Sequence, residues 1–200
     1  MKPLAYLLAL MLSASQLTSF AQNKQKKMDT KKILVVYFSR PGNNYAVGNV
    51  ATGNTQIVAE MIATETHATT FRIVSVKAYP SDYKTCTEQA RKEKDTKARP
   101  AVKGDINIED YGVIFIGYPN WWGDAPMPVY TFIEAHKWAG KTVIPFCTHE
   151  GSGLSNTAEI KATVKGATMR DGLAIYGHVA QNEREKTRAS VQKWLKKLGY

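Results

Sequence analysis

Cysteine is nearly missing from this chain: Cys86 and Cys147 are the only two in 200 residues. Their separation fits neither a zinc-ligand pattern nor a C-x-x-C redox pair. In an oxidising compartment the two could pair, and two buried, unpaired thiols are the competing reading. Neither looks catalytic. Acidic residues are also scarce: 17 Asp and Glu stand against 27 Lys and Arg, a formal net charge of +10. Such an excess can steer a protein toward an anionic partner or surface. It is not a nucleic-acid footprint, because the charges are scattered apart from "KQKK" and "KWLKKL" and no nucleic-acid motif accompanies them. A solvated surface is the plainer explanation. No internal repeat and no low-complexity tract follows residue 30, and no apolar run is long enough to span a bilayer comfortably.

What remains is an ordinary globular balance, 44% hydrophobic and 22% charged. The length allows one domain with a sizeable core and is short for two. The first residues stand apart. Lys2, an apolar run from Leu4 to Leu12 and Ser19-Phe20-Ala21 before Gln22 have the pattern of a secretory signal peptide over residues 1–21. An uncleaved anchor and a start at Met28 are the competing readings. Residues 22–30, "QNKQKKMDT", read as a polar, basic linker, and 31–200 as the folded domain. After signal removal no stable membrane insertion is expected, and the protein is expected to be exported, to a periplasm or beyond.

From residue 31 short apolar runs alternate with longer amphipathic stretches. "KILVVYFS" (Lys32 to Ser39) is rich in β-branched residues and reads as a strand buried on both faces. "NTQIVAEMIATET" places Ile57, Val58, Met61 and Ile62 on one helical face. A strand is predicted at Thr69–Val76, then a polar helix that ends before Pro100. Val113–Gly117 gives another apolar strand. A helix carrying Val129, Phe132, Ile133 and Trp138 follows and stops at Gly140. "KTVIPFCTHEG" is the next strand, "SNTAEIKATVKG" a short helix, and Leu173–Tyr176 a weaker strand. The last stretch is an amphipathic helix with Val191, Trp194, Leu195 and Leu198 inward. About five strands alternating with about five helices imply an α/β fold with a parallel sheet covered on both faces. In such sheets ligands sit beyond the carboxyl ends of the strands, where the strand order reverses.

Three strand-end loops therefore matter. After the first strand, two similar turns appear, "PGNN" and "TGNT". An anion site needs backbone N–H groups at a helix start with a hydroxyl beside them. Only the second qualifies: Gly53 permits close approach, Thr55 offers a hydroxyl, and the helix begins at once. Ser39 and Arg40 can reach the same pocket, and Pro41–Thr52 reads as an insertion. The second loop, "GYPNWWGDAPMPVY", sets Trp121 and Trp122 side by side after a buried strand. One of the pair is expected to stack on a planar ligand; the alternative is that both cover the helix below. In the third loop, "CTHEGSGLSN", residues 148–153 are small or polar and rich in donors suited to the edge of a heterocycle. His149 and Glu150 could form an acid–base pair, although such a His more often donates to the backbone or lies at the surface.

"LVVYFSR", "GNT" leading into "VAEMIA", "IFIGYPNWWGDAPMPVYTF" and "IPFCTHEGSG" together resemble the flavodoxin family, most of all a branch with an extra loop between "SR" and "GNT". The resemblance covers most of the chain from residue 31. It implies a three-layer flavodoxin-like sandwich around a five-stranded parallel sheet of order 2-1-3-4-5; flavodoxin is itself an example of the switch-point rule. It further implies non-covalent FMN. Ser39, Arg40, Gly53, Asn54, Thr55 and Gln56 would hold the phosphate. Pro119, Asn120, Trp121, Trp122 and Gly123 would line one side of the ring. Thr148, His149, Glu150, Gly151, Ser152 and Gly153 would meet its other side and edge. In flavodoxins a glycine-containing turn beside the ring can flip its peptide toward the reduced flavin, and Gly123 is the residue expected to do so here. Tyr45, in the insertion, is expected to touch the flavin. Neither a catalytic residue nor a metal is implied. The basic charge departs from the acidic surface of electron-carrying flavodoxins. Electron transfer to a redox protein or a small quinone-like acceptor is the expected function. An FMN-dependent NAD(P)H:quinone-type reductase is the first alternative, and a binding module that has lost redox activity is the second.

Overall fold

The computed structural model describes residues 32–200, so the signal peptide and the linker expected from the sequence lie outside the described residues. β1 (Ile33–Phe38), β4 (Thr69–Ile73), β5 (Val113–Pro119) and β6 (Thr142–His149) are joined in parallel in the order β4-β1-β5-β6. Beyond β6 the fifth position is shared by two short strands, β7 (Thr168–Met169) and β8 (Leu173–Tyr176). β7 pairs with Thr142 and Val143, and β8 with Phe146 to His149. Pro145, which has no N–H to give a ladder, sits opposite the break. The sheet therefore has the 2-1-3-4-5 order expected from the sequence, with its last strand in two pieces.

Both faces of this sheet are covered, as continuous apolar strands require. On one side Val35, Tyr37, Phe115, Ile144 and Phe146 pack with Ile57, Val58, Met61 and Ile62 of α1 (Asn54–Thr66) and with Val191, Trp194, Leu195 and Leu198 of α6 (Arg184–Leu198). On the other, Leu34, Val36, Phe38, Ile114, Ile116 and Tyr118 pack with Val129, Phe132 and Ile133 of α3 (Met127–Glu134) and Ile160 of α4 (Thr157–Thr163). Alternate residues of β1 and β5 thus serve opposite layers, and each fully buried aliphatic side chain contributes about 1.5–3 kcal/mol. α2 (Tyr83–Asp95) is more polar and buries only Cys86 and Ala90.

Several boundaries move. The second strand ends at Ile73 instead of Val76, because Ser75 leaves the sheet to bridge Val102. α3 stops at Glu134, short of Gly140; Trp138 is still buried because its indole N–H folds back to the carbonyl of Ile133 at 2.7 Å. The last helix is preceded by a short separate one, α5 (Gly177–Asn182). The insertion is not an open loop: β2 (Gly42–Asn44) and β3 (Gly48–Val50) pair as an antiparallel hairpin.

Candidate functional site

The chain reverses direction in the sheet beside β1. α1 leads from β1 to one flank, β4, while β5 lies on the other flank, so α1 and α3 leave neighbouring strand ends toward opposite layers. The gap between them opens into a cleft of about 520 Å³. That is within the range of cofactor pockets, roughly 300–1,000 Å³.

The turn "TGNT" delivers the first wall. Gly53 is the N-cap of α1, where a Cβ would lie 2.3 Å from Ser39 Oγ and 2.6 Å from the Arg40 carbonyl. Only glycine lets the turn fold against the end of β1 so closely. Gly53 has no side chain to cap α1 and no acidic residue sits in its first turn, so the N–H groups of Asn54 and Thr55 are left for an external acceptor. Ser39 Oγ accepts from the Gln56 N–H at 3.1 Å. Thr55 is buried, its hydroxyl 2.7 Å from that of Thr148 on β6. Asn54 lines the cleft, and its Oδ1 accepts from Gln181 Nε2 of α5 at 2.8 Å. Gln181 also donates to the Thr52 carbonyl at 2.6 Å, and so braces the turn from a distant part of the chain. Nothing in the sequence marks it for this task.

Arg40 has a structural task as well. It lines the cleft, but its guanidinium donates to the carbonyls of Asn43, Pro80 and Ser81. It fastens the hairpin to the loop before α2.

The second wall is a tight turn. Trp121 and Asp124 exchange both backbone hydrogen bonds, and Trp122 and Gly123 between them have φ of 57° and 78°. Positive φ at both central residues is the requirement of a type I′ turn, and a tryptophan there is strained. Strain of this kind clusters where a turn must present a particular surface. Trp121 stands edge-on to Phe38 and Tyr79, part of the core as well as of the cleft. Trp122 is 47% exposed; its Nε1 donates to the Thr87 carbonyl at 2.9 Å and the Arg91 guanidinium lies 5.0 Å from its ring. The peptide joining Trp122 to Gly123 is held at both ends. Its carbonyl accepts from the Lys94 ammonium, and its N–H donates to Asn120 Oδ1 at 2.9 Å. The Gly123 flip expected from the sequence would have to break both bonds. Pro119 and Asn120 line the same wall, and the Asn120 amide reaches Ser155 across the cleft floor.

The third wall is the loop after β6. Thr148, His149, Glu150 and Ser152 line the cleft, whereas Gly151 and Gly153 do not. The N–H groups of those glycines, expected to face a heterocycle, donate instead to His149 Nδ1 at 2.9 and 3.1 Å. His149 is thus an unprotonated acceptor at Nδ1, and burial lowers its pKa. Glu150 pairs with His178 and not with His149: Oε2 is 2.6 Å from His178 Nδ1, and Oε1 accepts the His178 backbone N–H. Gly53, Thr55 and Gln56, in the same turn as Asn54, and Ser39, just after β1, are not among the residues that line the cleft.

Sequence reasoning placed Tyr45 of the insertion at the cleft but missed what α2 adds to this fourth wall. Tyr83, Cys86, Thr87 and Ala90 of α2 face the cleft, beside Asn43, Asn44 and Tyr45 of the hairpin. The spacing i, i+3, i+4, i+7 was readable, but in so polar a helix it did not stand out.

The comparisons with known proteins agree with this fold. The family model described as Flavodoxin matches residues 32–198. This chain belongs to the flavodoxin family. Among solved structures, this flavodoxin-family protein is 32% identical to a candidate flavoprotein from Bacteroides eggerthii DSM 20697, over 79% of this chain and 98% of that one, with a TM-score of 0.62. A second candidate flavoprotein, from Bacteroides uniformis ATCC 8492, is also 32% identical, over 83% and 98%, at 0.66. A flavoprotein from Lactobacillus acidophilus NCFM, solved in complex with FMN, shares the fold at 19% identity, over 78% and 98%, at 0.58. No curated protein matches this flavodoxin-family chain.

Proposed function

We propose that this protein binds FMN non-covalently in the cleft and works as an exported electron-transfer flavoprotein. The observation that carries the reading is the convergence of three strand-end loops, at the switch between β1 and β5, on the start of a thirteen-residue helix whose first two N–H groups have no partner. The donor set fits the cofactor: the leading N–H groups of α1 suit a phosphate, and flat walls on two sides suit a ring system. Family membership and the FMN complex of the Lactobacillus acidophilus relative support the same choice.

Bound FMN supplies one- or two-electron redox chemistry, while the chain supplies binding, orientation and electrostatic tuning. Asn54 and Thr55 hold the phosphate end through the helix start. The Trp122–Gly123 turn, fixed by Asn120 and Lys94, sets the position of one face. The loop 148–153, fixed on His149, sets the opposing wall. Export rests on the sequence pattern of residues 1–21.

The purified protein should be yellow and release its chromophore on heating. The stripped protein should take up one FMN per chain, and N-terminal sequencing of the mature protein should begin at Gln22. A colourless protein that binds no FMN on titration overturns the cofactor assignment. An intact Met1 in the mature protein overturns cleavage.

A further inference from the structure

One cation behind the start of α1 has no counter-ion. Phe71 and Ile73 of β4 pack into the layer of α3. Strand alternation therefore turns Arg72, between them, toward the layer of α1. Register sets it beside Tyr37, next to the end of β1. Burial raises the pKa of the Tyr37 phenol, Arg72 lowers it and Glu60 raises it again, so both charges act on this corner. Arg72 is half-buried. Its guanidinium makes one hydrogen bond among the described residues, from Nη2 to the Ser39 carbonyl at 3.0 Å. Its Nε is buried without a partner. The Glu60 carboxylate is engaged elsewhere, accepting from Gln56 Nε2 at 2.8 Å. A guanidinium taken out of water with donors unspent is costly unless negative charge comes near it.

The residue that Arg72 holds is the one against which the start of α1 is folded. Ser39 Oγ accepts the Gln56 N–H at 3.1 Å, and a Cβ on Gly53 would lie 2.3 Å from the same oxygen. Ser39 thus joins the guanidinium to the turn whose Asn54 and Thr55 N–H groups are left for an external acceptor. Arg40, the other cation of this corner, shares its guanidinium among the carbonyls of Asn43, Pro80 and Ser81. Arg72 has donors to spare. It is carried on a sheet strand, so its charge is in place before an anion arrives.

We infer that Arg72 is a specificity-determining cation: set behind Ser39, it makes the start of α1 select a phosphate monoester and so favours FMN over riboflavin. The inference rests on the FMN reading and deepens it. Arg72 is a positioning residue here, acting through Ser39 and through its field, and it need not touch the ligand.

The test is titration of the stripped protein with FMN and with riboflavin, read by quenching of flavin fluorescence. Arg72→Met removes the charge, Arg72→Gln keeps a donor for Ser39 without the charge, and Arg72→Lys keeps the charge. Lys137→Met is the control for net charge, since Lys137 is exposed between α3 and β6, at the opposite end of the sheet. Arg72→Met and Arg72→Gln should weaken FMN about tenfold and leave riboflavin within about twofold. Arg72→Lys should recover most of the loss, and Lys137→Met should change neither affinity. In the wild type, raising KCl from about 0.05 to about 0.5 M should weaken FMN severalfold and spare riboflavin. FMN binding indifferent to salt overturns the inference even if the uncharged variants do not fold. Equal losses for FMN and riboflavin also overturn it, because Arg72 would then only brace the turn; so do variants with unchanged affinity, or a wild type that binds the two flavins alike. Each of these outcomes leaves the flavin reading standing. A wild type that takes up neither flavin sinks that reading instead. Inorganic phosphate then decides the anion site alone: it should raise the melting temperature of the wild type more than that of Arg72→Met, and equal shifts overturn the role of Arg72.

Discussion

The hydroxyls of Thr55 and Thr148 meet at 2.7 Å, both residues almost wholly buried. They come from the first turn of α1 and the end of β6, so one hydrogen bond joins the anchoring end of the cleft to the loop at its opposite wall. Thr55→Val strands the Thr148 hydroxyl in the core and should cost about 1–3 kcal/mol of stability, read by chemical denaturation. The double variant Thr55→Val/Thr148→Val should cost clearly less than the sum of the two single changes. Strict additivity would mean that the bond carries nothing.

The turn at Trp122 and Gly123 should matter for tuning. Gly123 has φ of 78° with open space where a Cβ would go, so Gly123→Ala meets backbone strain and no clash. It should lower stability by about 1 kcal/mol. Lys94→Met releases the Trp122 carbonyl. In FMN-loaded protein both changes should move the midpoint potential; two unaltered redox titrations would remove this turn from the electronics of the cofactor.

His149 gives the cleft a pH dependence. Burial lowers its pKa most, the neighbouring Glu150 carboxylate pulls it back up, and His178 lowers it again. The unfolded chain therefore takes up a proton first as pH falls below about 6.5, and stability drops from there until the folded-state pKa is passed. Protonation at Nδ1 also removes the acceptor for the N–H groups of Gly151 and Gly153. Stability and FMN affinity should both fall between pH 7 and pH 5. His149→Asn, which keeps an acceptor and cannot titrate, should flatten that fall; an unchanged slope would place its origin elsewhere.

Cys86 and Cys147 are both free and buried, and burial drives the Cys147 thiol up to about 12. Burial also raises Cys86, against the lowering effect of Arg40. Neither should react with iodoacetamide at pH 8 in the native protein. Unfolding in denaturant without reductant should give two alkylations by mass; a mass without added label would show a bridge and contradict the structure.

The periodic parts of the sequence decided the architecture. "ILVVYF" and "VIFIGY" could only be strands buried on both faces, and Ile57, Val58, Met61 and Ile62 could only face a core, because transfer of apolar surface from water dominates their placement. Between the two glycine turns, local chemistry also sufficed: only "TGNT" runs straight into a helix, while "PGNN" starts a hairpin. Where hydrogen-bond donors end up was only partly local. Arg40 donates to three carbonyls, Gly151 and Gly153 donate to His149, and Glu150 takes His178 as its partner. Each choice depends on which acceptor the fold brings within about 3 Å, often from a segment far along the chain. The face of α2 toward the cleft was settled in the same way, since a helix that buries only Cys86 and Ala90 offers few apolar anchors to read.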